Sequence, residues 1–281
     1  MNSPKSDDDR LAYHVGGLNL SGLTMTKVIL WLAAITIVSF AIGLGLLALS
    51  GGLPQPHALK DTPFQDTHLL TRNTTTILLD GASSGSIRIS MGAGEFTLGG
   101  GAPAFSLMEA TVFSSAAEWQ PEILASVNGT EKTVTMIEPG HQGREWFAFH
   151  TPYSWHIQIN DLVPVDLKVE VGAGDSNLDL GSLNLTSLVV SNGVGDTDID
   201  ISRSRSGPFR AEVHNGVGDL TVRIDKRSNT RISVHSGVGD ISTVGIVKNN
   251  NTYTTVGFNP SLPVSEIAIT QGVGSIQLEA V

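Results

Sequence analysis

The sequence repeats itself at SNGVGD (191–196), HNGVGD (214–219) and HSGVGD (235–240), each time inside a stretch of alternating polar and apolar residues. Aligning on Gly-x-Gly recovers six copies, with first glycines at 92, 172, 193, 216, 237 and 272 and middle steps of 21, 23 and 21 residues. Five residues before the first glycine stand Ile87, Leu167, Leu188, Ala211, Ile232 and Ile267. Three before stand Ile89, Val169, Val190, Val213, Val234 and Ile269. Six after stand Leu98, Leu178, Ile199, Val222, Thr243 and Leu278. Polar residues lie between these columns. Side chains alternate across a strand, so each repeat is a strand, a Gly-x-Gly turn and a second strand. The apolar columns are mostly β-branched, which suits a pleated buried surface.

A unit of about 21 residues with two short strands cannot bury its own apolar face, whereas stacked units can. The sequence therefore predicts an all-β fold: a parallel β-solenoid of about six coils spaced roughly 4.8 Å apart. The Ala or Val after each first glycine (Ala93, Ala173, Val194, Val217, Val238, Val273) is expected to fill the interior. Two insertions interrupt the stack. The second lies around NNNTYTTVGFNPSLP, and the first spans residues 100–164 and reads as antiparallel strands, with a hairpin turning at Asn128-Gly129. Trp119, Trp146 and Trp155 fall in this first insert and are expected in its core, where they could cap one end of the rod.

Upstream of the repeats, Val28–Leu49 is an uncharged apolar run of 22 residues. As a helix at about 1.5 Å per residue it would span a bilayer. It predicts one transmembrane helix and membrane lipid as a partner. Lys27 and Arg10 before the run, with no further cation until Lys60, orient the N-terminus inside and the C-terminal domain outside a cell membrane. The expected organisation is a disordered cytoplasmic tail (1–27), the helix (28–49), a Pro- and Gly-bearing stalk (50–74) and a β-solenoid ectodomain (75–281). N-x-S/T sequons at Asn73, Asn128, Asn184 and Asn250 are compatible with an outside location.

Composition excludes several classes. A net charge of −10 argues against nucleic acid, which needs a basic footprint. The absence of cysteine removes disulfides, thiolate metal sites and cysteine nucleophiles. Gly-x-Gly followed by a strand rather than a helix is not a dinucleotide fingerprint, and no cofactor is expected. The glycines are structural turn residues: Gly92, Gly94, Gly172, Gly174, Gly193, Gly195, Gly216, Gly218, Gly237, Gly239, Gly272 and Gly274. Three after each first glycine come Glu95, Asp175, Asp196, Asp219, Asp240 and Ser275. Stacking would align Asp175, Asp196, Asp219 and Asp240 in a ladder whose neighbouring charges repel by about 1 kcal/mol in a water-like dielectric. Either each carboxylate accepts backbone N–H groups in its own turn, or calcium sits between coils, although calcium wants about six to eight oxygens. His214 and His235 occupy one outward column on coils expected to be adjacent, where a surface ladder is expected rather than a metal site. No G-x-S-x-G elbow or zinc-binding helix motif is present, so the chain is expected not to be an enzyme.

The segments SIRISMGAGEFTL (86–98), WQPEILASVNGTEKTVTMIE (119–138) and WHIQINDLVPVDLKVEVGAGDSNLDLGSLNLTSLVVSNGVGDTDIDI (155–201) resemble the toast-rack domain of LiaF-like cell-envelope proteins and the adhesin-like β-solenoid domains. The resemblance covers roughly residues 75–281. It implies a parallel β-solenoid with a role in adhesion, scaffolding or envelope sensing. The expected function is a membrane-anchored, non-enzymatic adhesion or scaffolding module with a protein or cell-envelope partner. The alternatives are an envelope-stress regulator acting on a membrane signalling partner, and a carbohydrate-active solenoid enzyme using outward acids such as Asp179, Asp198 and Asp200.

Overall fold

Alternation in both arms of each repeat builds two sheets whose inner faces meet. The computed structural model describes residues 71–114, 120–138, 153–202 and 207–281. The first arms are β2 (Ser84–Ala93), β8 (Val165–Ala173), β10 (Leu185–Val194), β12 (Arg210–Val217), β14 (Thr230–Val238) and β18 (Ser265–Val273). The second arms are β3 (Glu95–Gly100), β9 (Ser176–Asp179), β11 (Thr197–Ile201), β13 (Leu220–Ile224), β15 (Ile241–Val244) and β19 (Ile276–Ala280). The remaining strands are β1 (Thr71–Leu78), β4 (Ser106–Ser114), β5 (Glu122–Asn128), β6 (Glu131–Ile137), β7 (Ser154–Ile159), β16 (Ile246–Asn249) and β17 (Thr252–Thr255).

One sheet runs β1-β4-β7-β3-β9-β11-β13-β19-β15 and the other β16-β17-β14-β18-β12-β10-β8-β2-β6-β5. Within the stack of repeats every pairing is parallel. The Ile/Leu/Val columns of both arms form one buried cluster between the sheets.

The coils do not stack in chain order. The last repeat in sequence is the fifth in space: β18 lies between β12 and β14, and β19 lies between β13 and β15. The insert around 250–264 makes this possible. β16 and β17 pair antiparallel and continue the β14 sheet, and the chain then returns to lay β18 one level inward. Neighbours in sequence at this end are therefore not neighbours in space.

The larger insert is not wholly antiparallel. β6 joins β2 in parallel and β7 joins β3 in parallel, so these two strands supply a further level below the first repeat. The antiparallel strands β5, β4 and β1 then finish that end, with the β5–β6 hairpin turning at Asn128-Gly129. Trp155 on β7 is fully buried against the core, while Trp119 and Trp146 lie outside the described residues. Tyr153 packs edge-on against Trp155, and burial pushes its hydroxyl pKa up to about 12, against the ordinary value of 10. The folded state thus holds the proton more tightly than the unfolded chain. The contribution of Tyr153 to stability should be constant below pH 10 and fall between pH 10 and 12. A pH series of thermal melts on the full chain checks this, and Tyr153→Phe should flatten the decline.

The membrane expectations are corrected. The described residues contain no helix, and none of them forms a helix long and apolar enough to cross a membrane. Val28–Leu49, on which the single-pass anchor, the lipid partner and the inside–outside topology all rested, lies outside the described residues, as do the tail and most of the stalk. The described residues form an all-β fold, and none of them supplies the expected transmembrane helix. By its contacts the chain divides into 1–66 and 67–281, and the strands named above lie in the second unit.

Candidate functional site

The Gly-x-Gly turns align into a corner where the chain passes from one sheet to the other. Its two glycine columns are required for different reasons. The second glycine of each pair has positive φ, from +130° at Gly174 and Gly274 to +143° at Gly94. The first does not, but it is crowded: a Cβ on Gly193 would stand 2.3 Å from the Gly172 carbonyl oxygen of the coil below. Side chains are therefore absent along this line. A shallow groove follows it, bounded by Ser191, His214 and Glu170.

The column after the first glycine contradicts the expectation of an interior position. Ala93, Ala173, Val194, Val217, Val273 and Val238 are in register along the stack, and the four valines are 47–66% exposed. Strand parity would turn these residues inward. The bend into the second glycine swings them to the outer edge of the corner instead. The result is an apolar stripe in solvent.

The acids lie on the other flank, and their hydrogen bonds run between coils rather than within each turn. The Asp175 carboxylate accepts the Asp196 N–H at 3.0 Å, Asp196 accepts the Asp219 N–H at 2.9 Å, and Asp219 accepts the Ser275 N–H at 2.8 Å. Because coil 272 lies between coils 216 and 237, Ser275 separates Asp219 from Asp240, and the expected run of four stacked aspartates is three long. The same displacement parts the histidines: His214 and His235 each pair with Thr270, not with one another. Among the described residues no group of His, Cys, Asp and Glu is arranged to hold a metal ion. Asp196→Ala should cost about 1 kcal/mol by leaving the Asp219 N–H without its charged acceptor, whereas Asp196→Asn should be nearly neutral. Urea denaturation of the two variants checks this.

Sequence reasoning missed a third column, the residue just before the first glycine. Asn192, Asn215 and Gln271 are buried there in adjacent coils. Asn192 donates to the Gly195 carbonyl at 3.1 Å and to Thr197 Oγ1 at 2.9 Å, Asn215 donates to the Gly218 carbonyl at 3.1 Å, and Gln271 donates to the same carbonyl at 2.9 Å. These amides fix the turn carbonyls that no ladder partner reaches. The signal was present: Asn, Asn and Gln sit at an inward parity directly before the turn.

The outward acids considered for catalysis have structural partners. Asp198 pairs with Arg223 at 2.5 Å, and Arg223 reaches Glu279 at 3.1 Å, so one guanidinium ties three successive coils. The Asp198 hydrogen bond holds that guanidinium above its usual pKa. Asp200 accepts the N–H of Ser202.

Residues 67–223, more than half of the chain, match the family model described as the N-terminal domain of toast_rack, DUF2154. The chain belongs to the toast-rack family. The match ends at Arg223, so the displaced coil lies beyond it. No curated protein matches. Among solved structures, the toast-rack chain is similar to a candidate cell adhesion protein from Clostridium sporogenes, with 26% identity and a TM-score of 0.71 over 75% of this chain and all of the other. A candidate adhesin from Bacteroides fragilis is 13% identical, with a TM-score of 0.31 over 74% of this chain and 96% of the other. The Clostridium sporogenes relative is described by adhesion and not by a reaction.

Proposed function

We propose that the toast-rack domain is an adhesion-type binding module that holds a protein partner on the outward columns of its coils. The observation that carries this reading is the valine stripe at the glycine corner. Four β-branched apolar side chains stand in solvent at one spacing, where the local geometry offers them no core. A regular exposed apolar row marks an interaction surface. The likeness to the Clostridium sporogenes adhesion protein over its whole length supports the same reading.

The test uses beads coated with the full chain, passed under flow over cells that produce it. Retention that soluble full chain competes away is expected, and retention should fall several-fold when Val194, Val217, Val238 and Val273 are all changed to Ser. Retention no greater than that of albumin-coated beads contradicts the reading.

A further inference from the structure

We propose that the free edge of β15 receives an extended strand from a partner polypeptide, added in parallel as one more second arm of the stack. The observation is a hydrogen-bonding set that every other coil uses and the last coil in space leaves open. At each level the second glycine donates to the carbonyl of the next coil's Ala or Val: Gly94 to Ala173, Gly174 to Val194, Gly195 to Val217, Gly218 to Val273 and Gly274 to Val238. Two residues on, a second donor does the same: Phe96 to Asp175, Ser176 to Asp196, Thr197 to Asp219, Leu220 to Ser275 and Ile276 to Asp240. Among the described residues coil 237 is the last level of this sheet, and β15 pairs only with β19. Its corresponding donors, the N–H groups of Gly239 and Ile241, have no described coil beyond them to bond. Strand alternation adds the N–H of Thr243 to the same edge.

Two further features match. In the coils where the ladder is complete, the aspartate carboxylate accepts an N–H from the coil above, as Asp175, Asp196 and Asp219 do. Asp240 presents the same group at the open level. Ile241 is only half-buried, whereas its equivalents Ser176, Thr197, Leu220 and Ile276 are buried, and Val238 and Val244 beside it are 66% and 57% exposed. The edge also lacks the usual protections of charge, proline or bulge within Ile241-Ser242-Thr243-Val244.

The ladder selects the occupant. Every pairing of this sheet from β3 to β15 is parallel. Two copies meeting edge to edge through β15 about a two-fold axis would run antiparallel and would not continue that register. A single extended segment running parallel to β15 meets the open donors and Asp240 together. Its chemistry follows from the template: alternating apolar and polar side chains without proline, with a backbone N–H at its start for Asp240 to accept. Addition of a strand to an exposed sheet edge is an established mode of peptide recognition.

This inference rests on the binding-module reading and adds to the valine stripe a second contact at the end of the stack. The test is amide hydrogen exchange on the full chain, alone and with an end-blocked synthetic peptide copying residues 217–224 (VGDLTVRI), the second arm of an interior coil. In the free chain Ile241 and Thr243 should exchange at least tenfold faster than Leu220 and Ile276. The peptide should slow both saturably, and a scrambled peptide of the same composition should not. Thr243→Pro removes the edge donor and should abolish the protection, while Asp240→Ala, an exposed change that leaves the fold alone, should weaken peptide binding several-fold. Ile241 as slow as Leu220 in the free chain, equal protection by the scrambled peptide, or no protection at all would overturn the proposal. If the peptide fails while bead retention persists, the contact lies elsewhere on a domain that still binds. If retention fails while the peptide protects, the edge stands and the adhesion reading does not.

Discussion

Gly195→Ala is expected to destabilise the domain by about 3–4 kcal/mol, among the larger effects a single methyl can have. The backbone at Gly195 has φ +133°, a region that L side chains rarely adopt, and a Cβ there would stand 2.2 Å from the Gly174 carbonyl oxygen. Strain and collision act together, and the obstacle is backbone, which cannot swing aside. Relief requires parting two coils that share a continuous ladder. Gly193→Ala separates the causes, because it meets a backbone oxygen at 2.3 Å without positive φ. Gly129→Ala is the control: φ is +63° at the hairpin turn but nothing lies within 4 Å, so the cost should be about 1 kcal/mol. Equilibrium urea melts of the three variants should rank Gly195 first and Gly129 last. Equal losses at Gly195 and Gly129 would mean that close packing of coils is not what the second glycine column serves.

Trp155→Ala should cost about 3–5 kcal/mol, the range for deleting a large buried aromatic. Trp155 is fully buried in β7, between Phe96 of β3 and Val112 of β4 in register, with Tyr153 edge-on at 6.0 Å. It closes the core at the end where the repeats begin. In a stack each level leans on its neighbours, so the loss should appear first as faster amide exchange in β3, β4 and β7, with β13 and β19 far less affected. Exchange that rises uniformly across all coils would instead show a domain that opens only as a whole.

The repeats were legible because both physical constraints on them are periodic. Ile87, Ile89 and Leu98, and their equivalents, are inward because a strand alternates, and the glycines recur because each turn packs on the one below. The valine column was misread because alternation was carried one residue too far, through Val194 into a bend where parity no longer holds. The amide column was passed over because Asn192 and Asn215 look like polar surface beside a turn, and only the carbonyls of Gly195 and Gly218 show what they serve. The coil order could not be read from spacing. The gap of 35 residues before Gly272 signals an insertion, but where the chain re-enters the stack depends on the β16–β17 pairing with β14, a long-range contact. That displacement shortens the aspartate ladder, parts the two histidines and leaves β15 as the edge.

The displaced coil is the central structural claim, and the absence of native cysteine makes it directly testable. His214 and Thr270 are register partners on adjacent parallel strands, and so are His235 and Thr270, whereas His214 and His235 are two strands apart. Neighbouring strands lie about 4.8 Å apart and a disulfide needs Cα atoms within about 7 Å. Three double-cysteine variants of the full chain, oxidised under identical conditions and scored by thiol titration, decide the matter. His214→Cys with Thr270→Cys, and His235→Cys with Thr270→Cys, should each form an intramolecular disulfide, while His214→Cys with His235→Cys should keep both thiols free. The second pair is adjacent in either order and serves as the positive control; a disulfide in the third variant with free thiols in the first would show coils stacked in chain order and contradict the structure.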